Sequence, residues 1–293
     1  MPNSGPDLPI PFLMPLLTII KGSKMAENND KAKNKTGMIE GNIEGNNDKT
    51  DADAEHYSPI GTREEMVEAN RRRLELLDSV EEDIFENQKS ALIDKWENDE
   101  LLKSEILKDA FKSAKREYFI DKKNTPYTYY EQDISITDDI VAPDIATAVD
   151  IMELAQLKPG MKVLLIGCSS GYEEELLLKM RCTVDVLDDN IDAIAYSRAK
   201  LEVLYAEDNI PAYFTTLSEV QGKYDRVIGF KSIPKLRREL FRLVDTGRMV
   251  ICLGDEKILV TLDFDGTSHP LMKFIGSLYL PPISFESLGA KEN

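Results

Sequence analysis

Residues 163–172 read Val-Leu-Leu-Ile-Gly-Cys-Ser-Ser-Gly-Tyr, an apolar run that stops at Gly167 and gives way to a loop of small residues. Tyr172-Glu-Glu-Glu-Leu-Leu-Leu follows Gly171, with acids where the first turn of a helix favours them. This is the pattern of a buried parallel strand, a tight turn and a helix N-terminus. Glycines suit the turn because the backbone must bend sharply and let a ligand come close. Val184-Asp-Val-Leu-Asp188 is a second strand that ends in a carboxylate, twenty-one positions after Gly167. A carboxylate about 20 residues past a glycine turn is how this type of fold holds ribose hydroxyls. The two features together point to a nucleotide or nucleoside cofactor and leave its identity open.

The remaining chemistry-bearing residues are few. Cys168, Cys182 and Cys252 lie within or beside apolar runs, and the two histidines, His56 and His269, sit in polar or turn-like stretches. No metal site or Cys–His couple is expected, and three core-like thiols fit a reducing compartment. Lys and Arg number 36 against 53 Asp and Glu, a formal charge of −17. That balance opposes nucleic-acid binding, which needs a basic footprint, and reads as a solubilising surface.

The elements that must position the glycine turn alternate. Strand 163–166 precedes helix 172–180, strand 183–187 and a long helix near 191–206. A short run at Ala212–Thr215, strand Asp225–Phe230, a helix after Pro234 and strand Arg248–Leu253 complete the alternation. Such order implies a parallel sheet with helices on both faces. Lys257–Phe264 and Leu271–Leu280 then read as two strands around Asp265-Gly266, a terminal hairpin. Upstream, Thr62 and Glu65 form a capping-box pair. Leu77, Val80, Ile84, Leu92 and Trp96 recur at helical spacing, and Glu105–Lys115 reads as a second helix. Arg71-Arg72-Arg73 reads as a solvated helix face. Leu8–Ile20 is apolar but broken by Pro9, Pro11 and Pro15. Its thirteen residues fall short of the roughly 17–25 that span a bilayer, so neither anchor nor signal peptide is expected. Met25 offers an alternative start. Residues 26–56 are polar and read as a disordered leader. The resulting division is a leader over 1–56, a helical region over 57–130 and a catalytic-type α/β domain over 131–293.

From about Ser104 to Phe285 the chain resembles the protein-L-isoaspartate O-methyltransferases, in divergent bacterial form. Ile106-Leu-Lys-Asp-Ala-Phe and Lys115-Arg-Glu-Tyr-Phe119 are similar to the family's helix and its "V-P-R-E-x-F" segment. Tyr127 to Ile134 resembles "A-Y-x-D-x-x-I", and Asp139-Ile-Val-Ala-Pro143 occupies the place of "T-I-S-x-P". Leu157-Lys-Pro-Gly160 leads into the glycine turn, which resembles "V-L-E-I-G-T-G-S-G-Y". Tyr224-Asp-Arg-Val-Ile, Ser232-Ile-Pro and Thr246-Gly-Arg-Met-Val follow in family order. The terminal hairpin and the missing Gly-x-Gly-x-x-Gly fingerprint also suit a seven-stranded, mostly parallel Rossmann-like methyltransferase sheet better than a dehydrogenase.

The resemblance implies S-adenosyl-L-methionine as cofactor, with Gly167, Cys168, Ser169 and Gly171 at its methionine end and Asp188 on its ribose. It implies a substrate loop at Asp139, Val141 and Pro143, a protein or peptide carrying isoaspartyl carboxylates as acceptor, and a cytoplasmic setting without membrane or nucleic-acid partners. Four positions depart from the pattern. The family serine falls on Val141, the acid before Ile-Gly on Leu165, the second glycine on Ser169, and "G-D-G" has no counterpart in Phe214-Thr-Thr-Leu-Ser-Glu. Two rivals follow: a methyltransferase-like fold that has lost its chemistry and binds a partner, and a nucleic-acid methyltransferase. The second is opposed by the charge and by Asp225–Lys231, which lacks an Asn/Asp-Pro-Pro-aromatic site.

Overall fold

The computed structural model describes residues 61–80, 82–254, 258–267 and 269–283. The chain divides into two units, Met1–Ala54 and Glu55–Asn293, and all described residues belong to the second. The leader expected over 1–56, with its apolar stretch and alternative start, lies outside them. No described helix is long and apolar enough to cross a membrane.

Two helices open the described chain, α1 (Arg63–Val80) and α2 (Glu82–Asn98). The capping box forms at the entry to α1: the Glu65 N–H donates to Thr62 Oγ1, and the Thr62 N–H donates to Glu65 Oε2. The helix expected over 105–115 instead breaks into α3 (Glu105–Ser113) and the single turn α4 (Arg116–Phe119). The cause is the buried Lys89, whose ammonium donates to the carbonyls of Lys112 and Ala114 and so caps the C-terminus of α3. Of the three consecutive arginines, Arg71 and Arg72 pair with Glu68 at the surface. Arg73 departs from the solvated face, because its guanidinium is half-buried and donates to Glu117 O and Thr125 Oγ1.

A two-stranded hairpin, β1 (Ile134–Ser135) with β2 (Val141–Ala142), precedes α5 (Ile145–Ala155). The sheet domain then runs β3 (Lys162–Ile166), α6 (Tyr172–Lys179), β4 (Thr183–Leu187), α7 (Ile191–Leu204), β5 (Ala212–Phe214) and β6 (Arg226–Ile233). It closes with α8 (Arg238–Phe241), β7 (Thr246–Leu253), β8 (Ile258–Asp265) and β9 (Leu271–Ser277). The sheet has seven strands in the order β5-β4-β3-β6-β7-β8-β9, parallel from β5 to β7 and antiparallel across β7, β8 and β9. The helix expected after Pro234 survives only as the short α8.

β3 shows why its sequence is a continuous apolar run. Val163 and Leu165 face one buried cluster with Phe111, Ile151 and Leu176, while Leu164 and Ile166 face another with Leu240 and Leu262. A strand covered on both faces has no solvent side and therefore no alternation. Leu165 is fully buried in this way, so the position of the missing family acid is a packing position. Trp96, Phe111 and Phe119 share the first cluster with the strands. The helical region and the sheet thus rest on one core, which fixes α3 and α4 against the ends of the strands.

Candidate cofactor site

The sheet reverses direction of growth at β3, with β4 on one side and β6 on the other. Open α/β sheets bind ligands at such a switch point, beyond the carboxyl ends of the strands. Here a cleft of about 790 Å³ opens, lined by the loop at Asp139, Val141 and Pro143, by Cys168 and Ser169, and by Asp189 and Lys231. Its volume lies within the roughly 300–1,000 Å³ usual for ligand clefts.

The glycine turn forms as the sequence requires. Gly167 and Gly171 have φ of +90° and +95°, the left-handed region that a side chain disfavours. Gly171 caps the N-terminus of α6, and a Cβ there would lie 3.0 Å from Ser197 Oγ and 3.3 Å from the Phe119 ring. The turn is therefore pressed against its supports as well as bent. Ser169 is buried, and its hydroxyl donates to Glu173 Oε2 at 2.6 Å, away from any ligand. The Cys168 thiol is held well above its ordinary pKa by burial and by the charges of Asp188 and Glu174, so it stays protonated and is no nucleophile. All three cysteines are buried and none is in a disulfide.

Asp188 sits just past the end of β4, but its carboxylate is fully buried and fully engaged. Oδ2 accepts the Cys168 N–H at 2.7 Å; Oδ1 accepts the Asn190 N–H at 2.7 Å and the Lys231 ammonium at 2.5 Å. Lys231 also donates to Asp189 Oδ1 at 2.7 Å. Burial disfavours the Lys231 ammonium, but the charge of Asp188 and the hydrogen bonds of both carboxylates outweigh it and raise its pKa. Lys231 and Asp189 were not singled out by sequence reasoning. The signal for Lys231 was a lone cation in the apolar strand Val227–Ile233. For Asp189 it was the doubled acid after β4.

The loop over Asp139–Pro143 is placed by buried polar contacts. Arg116 is fully buried; its Nη1 donates to Thr128 O at 2.8 Å and its Nη2 to Pro143 O at 2.6 Å. Its guanidinium also stands 5.7 Å from the centre of the Tyr172 ring at the start of α6. Asn190 Nδ2 donates to Asp139 O, tying the same loop to the start of α7. Val141 is 38% exposed on the cleft wall. After β5, the stretch from Phe214 closes on itself, with Glu219 Oε2 accepting the N–H groups of Thr215 and Thr216.

The bent turn, the cleft volume and the carboxylates at the end of β4 suit a nucleoside cofactor, and the Lys231 ammonium stands on one of those carboxylates. Of the expected site residues, Asp139, Val141, Pro143, Cys168 and Ser169 line the cleft itself. Gly167, Gly171 and Asp188 shape the wall behind it.

Comparison with known proteins accounts for this arrangement. The family model described as protein-L-isoaspartate(D-aspartate) O-methyltransferase (PCMT) matches residues 87–270, well over half of the chain. The protein-L-isoaspartate O-methyltransferase of Thermococcus sibiricus is 24% identical over 203 residues, covering 66% of this chain and 91% of its own length. That of Cytophaga hutchinsonii is 27% identical over 161 residues, covering 54% and 73%. In fold, the chain is similar to a Plasmodium falciparum structure described as a PCMT in complex with S-adenosyl-L-homocysteine. The TM-score is 0.58 at 17% identity, over 67% of this chain and 98% of that one. With its glycine turn, strand-end carboxylates and terminal hairpin all inside or beside the matched span, the chain belongs to the protein-L-isoaspartate(D-aspartate) O-methyltransferase family.

Proposed function

We propose that the protein is an S-adenosyl-L-methionine-dependent O-methyltransferase that esterifies the carboxylate of isoaspartyl residues in damaged proteins or peptides. One observation carries this reading: the glycine turn and the carboxylates after β4 meet under the loop Asp139–Pro143 at the sheet's switch point. In this reading Gly167, Cys168, Ser169 and Gly171 hold the methionine end of the cofactor. Asp188, with Asp189 beside it, holds the ribose. S-adenosyl-L-methionine supplies an electrophilic methyl group when bound.

The protein's own part is positioning. A carboxylate acceptor is already ionised at neutral pH, so no residue has to remove a proton from it. Holding it in line with the methyl group contributes on the order of 7–11 kcal/mol through proximity and orientation. The wall at Asp139, Val141 and Pro143, locked by Arg116 and Asn190, is the surface against which the acceptor segment lies. A reducing setting such as the cytoplasm suits three buried thiols, none of them in a disulfide. The test is transfer of labelled methyl to an isoaspartyl peptide, read as a base-labile ester. Cofactor bound with no ester formed would reject the acceptor.

The pairing of Lys231 with Asp188, together with Val141, favours a second reading: a fold of this family retained as a binding module without catalysis. A thermal-shift titration separates the two, since the module predicts no stabilisation by cofactor.

A further inference from the structure

β6 pairs regularly with β7 over Arg226–Ile228 and again from Ser232, with a register shift between. The irregular stretch lays the Lys231 side chain over the glycine turn. A Cβ at Gly167 would come within 2.7 Å of Lys231 Cγ, 3.0 Å of its backbone N and 3.1 Å of its Cβ, so the peptide and the root of the stem both pack there because Gly167 has no side chain. From that cradle the ammonium reaches Asp188 and Asp189 at 2.5 and 2.7 Å, with 13% of the side chain exposed. The turn that should cradle a ligand and the carboxylate that should receive it are thus both taken by one side chain.

We infer that Lys231 is an internal occupant of the ribose subsite: in the free protein its ammonium donates to Asp188 as ribose hydroxyls would, and a nucleoside cofactor binds only after it moves away. This inference rests on the cofactor reading above. Three features support displacement over permanent blockage. Beyond Cβ the stem is a flexible chain, so the ammonium can swing off Asp188 while the Lys231 backbone stays over Gly167. Lys231 lines the open cleft rather than the closed core. The same cleft offers Asp133, Asp138, Asp139 and Asp192 as carboxylates to which the released ammonium can turn. Among the described residues lining the cleft, Lys231 is the one lysine or arginine. A binding-competent state populated only in part lowers apparent affinity by that fraction, so the occupant sets the affinity.

Calorimetric titration of S-adenosyl-L-homocysteine into the full chain tests this, with wild type, Lys231→Ala and Lys231→Arg compared. Lys231→Ala should bind at least about tenfold tighter than wild type, and Lys231→Arg, which keeps a competing cation, within about threefold of it. The unliganded melting temperature of Lys231→Ala should fall, because Asp188 loses its counter-charge, and recover more on adding ligand than wild type does. Should Lys231→Ala fail to fold, Lys231→Gln removes the charge while keeping a neutral donor, and the same gain in affinity is expected. Equal affinity in wild type and Lys231→Ala would overturn the inference and leave the cofactor reading intact. Weaker binding by Lys231→Ala would overturn it too, making Lys231 a ligand of the cofactor. Absence of binding in every variant would reject the cofactor reading and this inference with it.

Discussion

The backbone N–H of Cys168 donates to Oδ2 of Asp188 at 2.7 Å, so the residue after β4 fixes the first peptide of the glycine turn after β3. The role expected of Asp188 was to hold the ribose of the cofactor. Its burial adds a second one, holding two adjacent strand ends in register at the mouth of the cleft. The proposed ribose contact and the hold on the glycine turn therefore fall on one side chain.

Asp188→Ala should weaken cofactor affinity by more than tenfold, about 1.4 kcal/mol. It should also destabilise the fold by about 1–3 kcal/mol, since the buried Cys168 N–H is left without its acceptor while Lys231 keeps Asp189. Calorimetry and urea unfolding on the same sample separate the two effects. Unchanged affinity in a folded variant would remove Asp188 from the site.

Arg116→Met should lower stability by about 2–6 kcal/mol, because the buried carbonyls of Thr128 and Pro143 each lose their donor at about 1–3 kcal/mol apiece. The loop over Asp139–Pro143, proposed to face the acceptor, is loosened through Pro143. The KM for the acceptor should therefore rise more than the dissociation constant of the cofactor. A larger effect on the cofactor would mean that Arg116 acts through Tyr172 and α6 instead.

Some of this was legible in the sequence and some was not, for physical reasons. The glycine turn, β4 with its terminal acid and the Asp265-Gly266 hairpin are local patterns of apolar run and turn residue, and each forms where the pattern stands. The end of β6 was misplaced at Phe230 because Lys231 interrupts the apolar run, yet the strand continues to Ile233 through a register shift. The ion pair Lys231–Asp188 joins residues 43 positions apart, and the cap of Lys89 on α3 joins residues 23 and 25 apart. No local spacing encodes such pairs. The first exists only once the sheet has brought β4 and β6 to either side of β3, the second only once α2 packs on the end of α3.

Val141→Ser should raise methylation of an isoaspartyl peptide by about tenfold or more, as a hydrogen bond to a charged group contributes about 1.5–3 kcal/mol. The side chain lies partly exposed on the cleft wall, so a hydroxyl there faces the cleft rather than the core. Steady-state kcat/KM for the two proteins decides it. No gain would place the acceptor carboxylate elsewhere in the cleft.

Glu174, fully buried in the first turn of α6, is raised to about 8 by burial and by the neighbouring charge of Glu173, with Ser197 Oγ donating to it at 2.9 Å. Its pKa is higher folded than unfolded, so the folded state holds a proton that the unfolded chain has released. Stability should fall as pH rises from about 4.3 towards 8 and level off above, by on the order of a few kcal/mol. Glu174→Gln should flatten much of that slope; Glu173 and Glu175, both raised by burial, keep the remainder. Melting temperatures at pH 5, 7 and 8.5 report the difference. Parallel curves for the two proteins would show that Glu174 ionises freely.

The reaction proposed for this cleft is esterification of an isoaspartyl carboxylate. The most direct measurement compares labelled-methyl transfer from S-adenosyl-L-methionine to an isoaspartyl peptide and to its normal aspartyl twin, at equal concentration. Base-labile label on the isoaspartyl peptide, with little or none on the twin, is the predicted result. Cofactor bound with label on neither peptide, or equal label on both, would contradict it.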